Sequence, residues 1–141
     1  MSDRPIVLAA DDDPDILTLI RLALERAGCE VITAPDGRAA LELAAERPPS
    51  MAVLDLSMPH KSGLEVTEAL RAAAPTATIP IVILSAAVQP SDITAAHAAG
   101  ADAHIKKPFS PRDLRVRVME LLEGSRAAAP AQSSPAEPAA E

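Results

Sequence analysis

Short apolar runs alternate with amphipathic stretches along most of the chain. Residues 6–10 form an apolar run of strand length, followed by a helical pattern over residues 14–27. In that pattern Ile16, Ile20 and Leu24 recur at fourfold spacing and share one helix face. Asp13 is the expected N-cap, Pro14 suits the first turn, and Gly28 stands just past the end. Residues 31–33 read as a second, weaker strand. Asp36-Gly37 is a turn signal, and the helix through Leu41 and Leu43 must stop at Arg47-Pro48-Pro49, since the residue before a proline is biased out of the helical region.

The alternation continues through the second half. Residues 51–54 are the third strand, residues 57–63 a loop, and residues 64–73 a third helix ended by Pro75. Residues 79–84 are β-branched and apolar on both faces, which predicts a buried strand. An alanine-rich helix over residues 90–99 is stopped by Gly100, and residues 101–105 are the fifth strand. Ser110-Pro111-Arg112-Asp113 opens the last helix as a capping box, with Leu114, Val118, Leu121 and Leu122 beneath it and Gly124 at its end.

Strands apolar on both faces and separated by helices predict an α/β fold: a doubly wound, five-stranded parallel sheet with helices on both faces. One domain over residues 1–124 accounts for the pattern, and residues 125–141 read as a disordered tail of Ala, Pro, Ser and Glu. Open sheets of this class bind ligands at the carboxyl ends of their strands. The polar residues that need explaining stand there. Asp11, Asp12 and Asp13 follow the first strand, Asp55 ends the third, Ser85 ends the fourth, and Lys106-Lys107-Pro108 closes the fifth. Singly, each has an ordinary explanation in capping, turn formation or a solvated charge. Those explanations give no reason for these types to meet at four converging ends.

Composition narrows the functions. The chain is 1% aromatic, with no Trp or Tyr, so the core must be aliphatic and ring-stacking platforms for single-stranded nucleic acid are disfavoured. A formal net charge of −7 also argues against direct binding of phosphate backbones. The lone Cys29 has no internal disulfide partner, as in a reducing compartment. No signal peptide is visible and no apolar run is long enough for a membrane span, so a soluble cytoplasmic protein without membrane contact is expected.

The segments Ile6-Val7-Leu8-Ala9-Ala10-Asp11-Asp12-Asp13, Asp55-Leu56-Ser57-Met58-Pro59 with Gly63, Ile81-Val82-Ile83-Leu84-Ser85-Ala86 and Lys107-Pro108-Phe109 carry a resemblance. In order and separation they are similar to the receiver domains of two-component response regulators, of the stand-alone, chemotaxis-regulator-like kind, a resemblance that implies a flavodoxin-like sheet of order 2-1-3-4-5. The resemblance implies that Asp55 accepts a phosphoryl group, with Ser85 and Lys107 contacting it. It implies that Asp11, Asp12, Asp55 and the Ser57 carbonyl hold Mg²⁺, with Asp11 acting mainly through water. The implied phosphodonor is a histidine kinase or histidine phosphotransfer protein, and the implied output is contact with an unidentified protein target. It further implies a switch that assists its own phosphotransfer and dephosphorylation and is no enzyme in the ordinary sense. His104 departs from the family, which usually has an aromatic residue there that follows the motion of Ser85.

The alternatives are weaker. The chain could be the receiver portion of a larger regulator or hybrid kinase, with its Pro/Ala stretch as a linker. An Asp-nucleophile phosphatase needs a general acid two residues after the nucleophile, where Ser57 stands. A flavin site needs a phosphate loop after the first strand, where three Asp residues would repel a phosphate. A receiver that has lost phosphoacceptance is opposed by the complete set of acidic and basic residues.

Overall fold

The computed structural model describes residues 4–86 and 89–131. Its strands are β1 (Ile6–Ala10), β2 (Glu30–Ala34), β3 (Met51–Asp55), β4 (Ile81–Ser85) and β5 (Ala103–Lys106). Its helices are α1 (Pro14–Arg26), α2 (Gly37–Glu46), α3 (Gly63–Ala72), α4 (Pro90–Ala99) and α5 (Pro111–Ala131). All strand pairs are parallel, and the sheet order is β2-β1-β3-β4-β5, as expected.

Strand side chains alternate between faces, and the two halves of the core follow that alternation. Leu8, Leu54, Ile81 and Ile83 point to one side, where Ala40 and Ala44 of α2, Val66 and Leu70 of α3 and Ala96 of α4 cover them. Val7, Ala9, Val53, Val82 and Leu84 point to the other, beneath Ile20 and Leu24 of α1 and Leu114 and Val118 of α5. Leu8, Ile20, Leu24, Leu54 and Ile81 are fully buried. Each such side chain contributes about 1.5–3 kcal/mol by leaving water. The core is aliphatic, with Phe109 packed half-buried at the edge of the second cluster.

Local signals set most boundaries. Asp13 N-caps α1 by accepting from the Asp15 N–H at 2.9 Å. Asp36 does the same for α2, from the Ala39 N–H at 2.8 Å. Ser62 and Glu65 form a reciprocal capping box that starts α3 one residue earlier than the apolar pattern predicts. The β4 ladder starts at Ile81 rather than residue 79, consistent with Pro80 having no N–H to donate.

Two further expectations change. β5 starts at Ala103 rather than residue 101, because Asp102 is drawn into contacts with Arg71 and the Ile81 N–H. The last helix does not stop at Gly124 but runs on to Ala131. Gly124 has an ordinary negative φ and open space around it, so it is an exposed helical position and not a cap. A glycine there costs only about 1 kcal/mol relative to Ala, and the alanines at 127–129 are strong helix formers. The rest of the expected tail, residues 132–141, lies outside the described residues. Among the described residues, no helix is long and apolar enough to cross a membrane.

Candidate functional site at the carboxyl edge of the sheet

The ends of β1, β3, β4 and β5 lie side by side in the sheet, and the predicted residues gather over them. Asp11 follows β1 and is fully buried, Asp55 closes β3 at 6% exposure, and Ser85 closes β4 at 5%. Asp12 stays exposed. Backbone hydrogen bonds tie the edge together: Asp11 N–H donates to Ala34 O at 3.2 Å, Leu56 N–H to Leu84 O at 2.8 Å, and Lys107 N–H to Ser85 O at 2.8 Å. The last of these brings the Lys107 side chain back over the sheet end. The Lys107–Pro108 peptide is cis.

The side chains then meet. Lys107 Nζ donates to Asp11 Oδ2 at 2.7 Å and to Asp55 Oδ1 at 3.1 Å. The other Asp11 oxygen accepts the Asp13 N–H at 2.9 Å. Carboxylate oxygens of Asp11, Asp12 and Asp55 all lie within 4.8 Å of one another. The structure thus brings together Asp11, Asp12, Asp55 and Lys107, with Ser85 at the neighbouring strand end. Ser57 is different. It sits exposed on the loop after β3, and no hydrogen bond or ion pair among the described residues ties it to the cluster.

Three carboxylates around one ammonium leave an excess of negative charge, and the titration of the group reflects it. Burial pushes the Asp55 carboxyl above its ordinary value; the charges of Asp11 and Asp12 add to the rise, and Lys107 opposes it without cancelling it. Burial pulls the Lys107 ammonium down, but hydrogen bonds and charges from Asp11 and Asp55 more than offset that, so its pKa ends raised. Both shifts say that the cluster favours added positive charge. Closely grouped, hard oxygen donors with uncompensated negative charge fit a divalent cation that prefers oxygen ligands.

Close packing sets the height of Asp55. The start of α3 passes directly over the end of β3, and Gly63 N–H donates to Leu56 O at 2.9 Å. A Cβ at Gly63 would lie 2.4 Å from the Asp55 carbonyl oxygen, which only movement of backbone can relieve. Gly63→Ala is therefore expected to cost about 1–3 kcal/mol in urea unfolding, as overpacking does, and to displace the Asp55 carboxylate. An unchanged unfolding midpoint would show that the loop yields freely. The Ser62–Glu65 capping box that positions this turn is missing from the sequence expectations, although its Ser-x-x-Glu spacing is plain.

Comparison with known proteins identifies the family. The family model described as the response regulator receiver domain matches residues 7–119. The chain is similar to the transcriptional regulatory protein KdpE of Mycobacterium tuberculosis, at 40% identity over 124 residues, covering 88% of this chain and 54% of that protein. It is similar to the alkaline phosphatase synthesis transcriptional regulatory protein PhoP of Bacillus subtilis, at 40% identity over 124 residues, covering 88% of this chain and 51% of that one. The chain thus spans about half the length of the curated relatives it matches. Among solved structures it is similar to the chemotaxis protein CheY4 of Vibrio cholerae, with a TM-score of 0.81 and 32% identity, covering 84% of this chain and 98% of that one. With the fold, the strand-end cluster and these matches in agreement, the chain belongs to the response regulator receiver domain family of two-component signalling.

Proposed function

We propose that this domain is a phosphorylation-dependent switch in which Asp55 takes a phosphoryl group from the phosphohistidine of a histidine kinase or a histidine phosphotransfer protein. The observation that carries the reading is the Lys107 ammonium, 2.7 Å from Asp11 and 3.1 Å from Asp55, beside the three-carboxylate cluster. An Asp55 oxygen would attack phosphorus in line, forming a P–O bond as the donor's P–N bond breaks. The electron pair stays on the donor imidazole, which holds the proton needed for neutral release. Lys107 would pair the charge of the resulting acyl phosphate, and the Ser85 hydroxyl would donate to its oxygens and draw the following loop with it.

Mg²⁺ is the cation this reading assigns, held by Asp12, Asp55 and the Ser57 carbonyl, with Asp11 acting mainly through water. Asp11 has one oxygen on Lys107 and the other on the Asp13 N–H, which leaves it less free for a direct bond. When bound, Mg²⁺ would neutralise the carboxylates and the transferring phosphoryl oxygens. The domain would assist its own phosphorylation and the later hydrolysis, without acting on a separate substrate. Its output would be protein contact in the cytoplasm, with no direct role in nucleic-acid binding. A second reading makes it the receiver part of a longer regulator, and the observation favouring it is the half-length match to relatives named as transcriptional regulators.

The test is incubation with acetyl phosphate and Mg²⁺ followed by peptide mapping, with one chelator-sensitive phosphoryl group expected on Asp55. Asp12→Asn is expected to weaken Mg²⁺ binding at least about tenfold and to slow labelling in proportion, as the loss of a ligand should. Normal Mg²⁺ affinity in that variant would remove Asp12 from the ligand set.

A further inference from the structure

His104 is the polar residue of β5 that the strand-end chemistry leaves unused. Ala103 and Ile105 pack in the cluster beneath α1 and α5, so alternation turns His104 to the opposite face, where α4 lies. The residue is half-buried, yet its Nε2 is fully enclosed and has no hydrogen-bond partner among the described residues. A neutral imidazole sits in such a place at some cost. An imidazolium, with a donor proton on each nitrogen and a full charge, fits it far worse.

The charged surroundings come from few elements. From α4, Asp92 and His97 act on the ring. β4 carries no ionisable side chain, and its Ile83 is the register partner of His104. Lys106 follows on the same face of β5 itself. His97 is separately engaged, with Nδ1 3.1 Å from the Ala101 carbonyl oxygen.

We propose that His104 is a proton-controlled latch on the face formed by α4 and β5. Neutral, it packs under α4; protonated, it leaves its enclosed position for solvent and the Asp92 carboxylate, and α4 loosens from the sheet. The route out is short, because β5 is an edge strand and the residue is already half-buried, so a side-chain rotation is enough. The proton comes from solvent, and no other group changes hands.

The sign follows from the surroundings. Burial holds the His104 pKa below its ordinary value; Asp92 opposes the shift without reversing it, and His97 adds to it. As pH falls, the unfolded chain therefore takes the proton before the folded one. The stability contributed by neutral His104 is complete above the unfolded pKa and is lost as pH falls from there through the lower folded pKa. The latch would open in mildly acidic conditions.

The inference stands apart from phosphorylation and is tested on the unphosphorylated full chain. Imidazole resonances are followed from about pH 8 to about pH 5, the range in which histidine changes charge, with amide hydrogen exchange of α4 measured alongside. His104 is expected to titrate below the ordinary histidine value of about 6.5. The α4 amides, corrected for intrinsic pH effects, are expected to exchange at least about tenfold faster on the acid side of that titration. His104→Phe and His104→Gln should each remove this acid-side acceleration, while His97→Gln should keep it. The proposal falls if wild-type His104 titrates at or above that ordinary value, or if the acceleration survives in both His104 variants. Labelling of Asp55 by acetyl phosphate at neutral pH, measured on the same samples, reports separately on the phosphoacceptor reading.

Discussion

Asp55→Asn is expected to abolish incorporation of a phosphoryl group from acetyl phosphate while leaving the protein folded. An amide lacks the anionic oxygen that would attack phosphorus, and no other carboxylate is placed to replace it without penalty. Asp11 is fully buried with its oxygens on Lys107 and the Asp13 N–H, and Asp12 is exposed at the edge of the cluster. Folding should tolerate the change because Asn has nearly the same shape. Electrostatics also favour it. The Asp55 pKa is raised by burial and by Asp11, so the folded state holds this carboxyl's proton more tightly than the unfolded chain does. Stability from that group is fullest at low pH and is lost as pH rises through the folded pKa, so ionised Asp55 destabilises the neutral-pH protein. Urea unfolding at neutral pH should find the Asn variant at least as stable as the parent. Residual labelling at an equal rate would end the assignment of Asp55.

Arg71→Ala is expected to produce the largest loss of stability among single polar substitutions, about 3 kcal/mol by urea unfolding, from the known worth of hydrogen bonds to charged groups. The Arg71 guanidinium sits at the amino edge of the sheet, at the opposite end from the Asp11, Asp55 and Lys107 cluster. Its Nε donates to Gly100 O at 3.0 Å, and one terminal nitrogen donates to Ala77 O at 3.2 Å and Ile79 O at 2.6 Å. The other reaches Asp102 Oδ2 at 2.8 Å, the same oxygen that accepts the Ile81 N–H. One side chain of α3 thereby fixes the entry to β4, the end of α4 and the entry to β5. The Arg71 side chain is 22% exposed and Asp102 45%, so solvent screens the ion pair and most of the effect should come from the carbonyls. Asp102→Asn should accordingly cost less. Arg71→Lys should recover little, since an ammonium lacks the planar fork that spans these acceptors. Gly100 belongs to the same arrangement: with φ +115 and Arg71 Cγ 2.8 Å from where a Cβ would stand, only glycine fits there without strain. A loss below about 1 kcal/mol in Arg71→Ala, the worth of one ordinary hydrogen bond, would show that water satisfies these carbonyls equally well.

The elements themselves were legible along the chain because their signals are local. Fourfold spacing of Ile16, Ile20 and Leu24, the apolar strand runs and the Asp13 and Ser110 caps each act within a few residues. The strand-end residues were legible too, because the parallel alternation determines which ends face the same way. Where local signals compete, the reading was less sharp. Gly124 has the look of a helix stop, but a glycine ends a helix only when its backbone turns left-handed, and here α5 continues through it. The starts of β4 and β5 differ from the apolar pattern, because Pro80 and Asp102 decide the first ladder residue.

The amino-acid order alone thus determined the layered fold and the identity of the residues at the carboxyl edge, since periodicity, caps and breakers are written residue by residue. Only the folded chain decided that Lys107 lies against Asp11, 96 residues away, that Arg71 gathers carbonyls from two separate segments, and that the Nε2 of His104 is enclosed without a partner among the described residues. Every residue has a carbonyl and many have charge, so nothing in the linear pattern says which of them meet. Sheet order and packing choose the pairs, and those pairs set the charge balance on which the site depends.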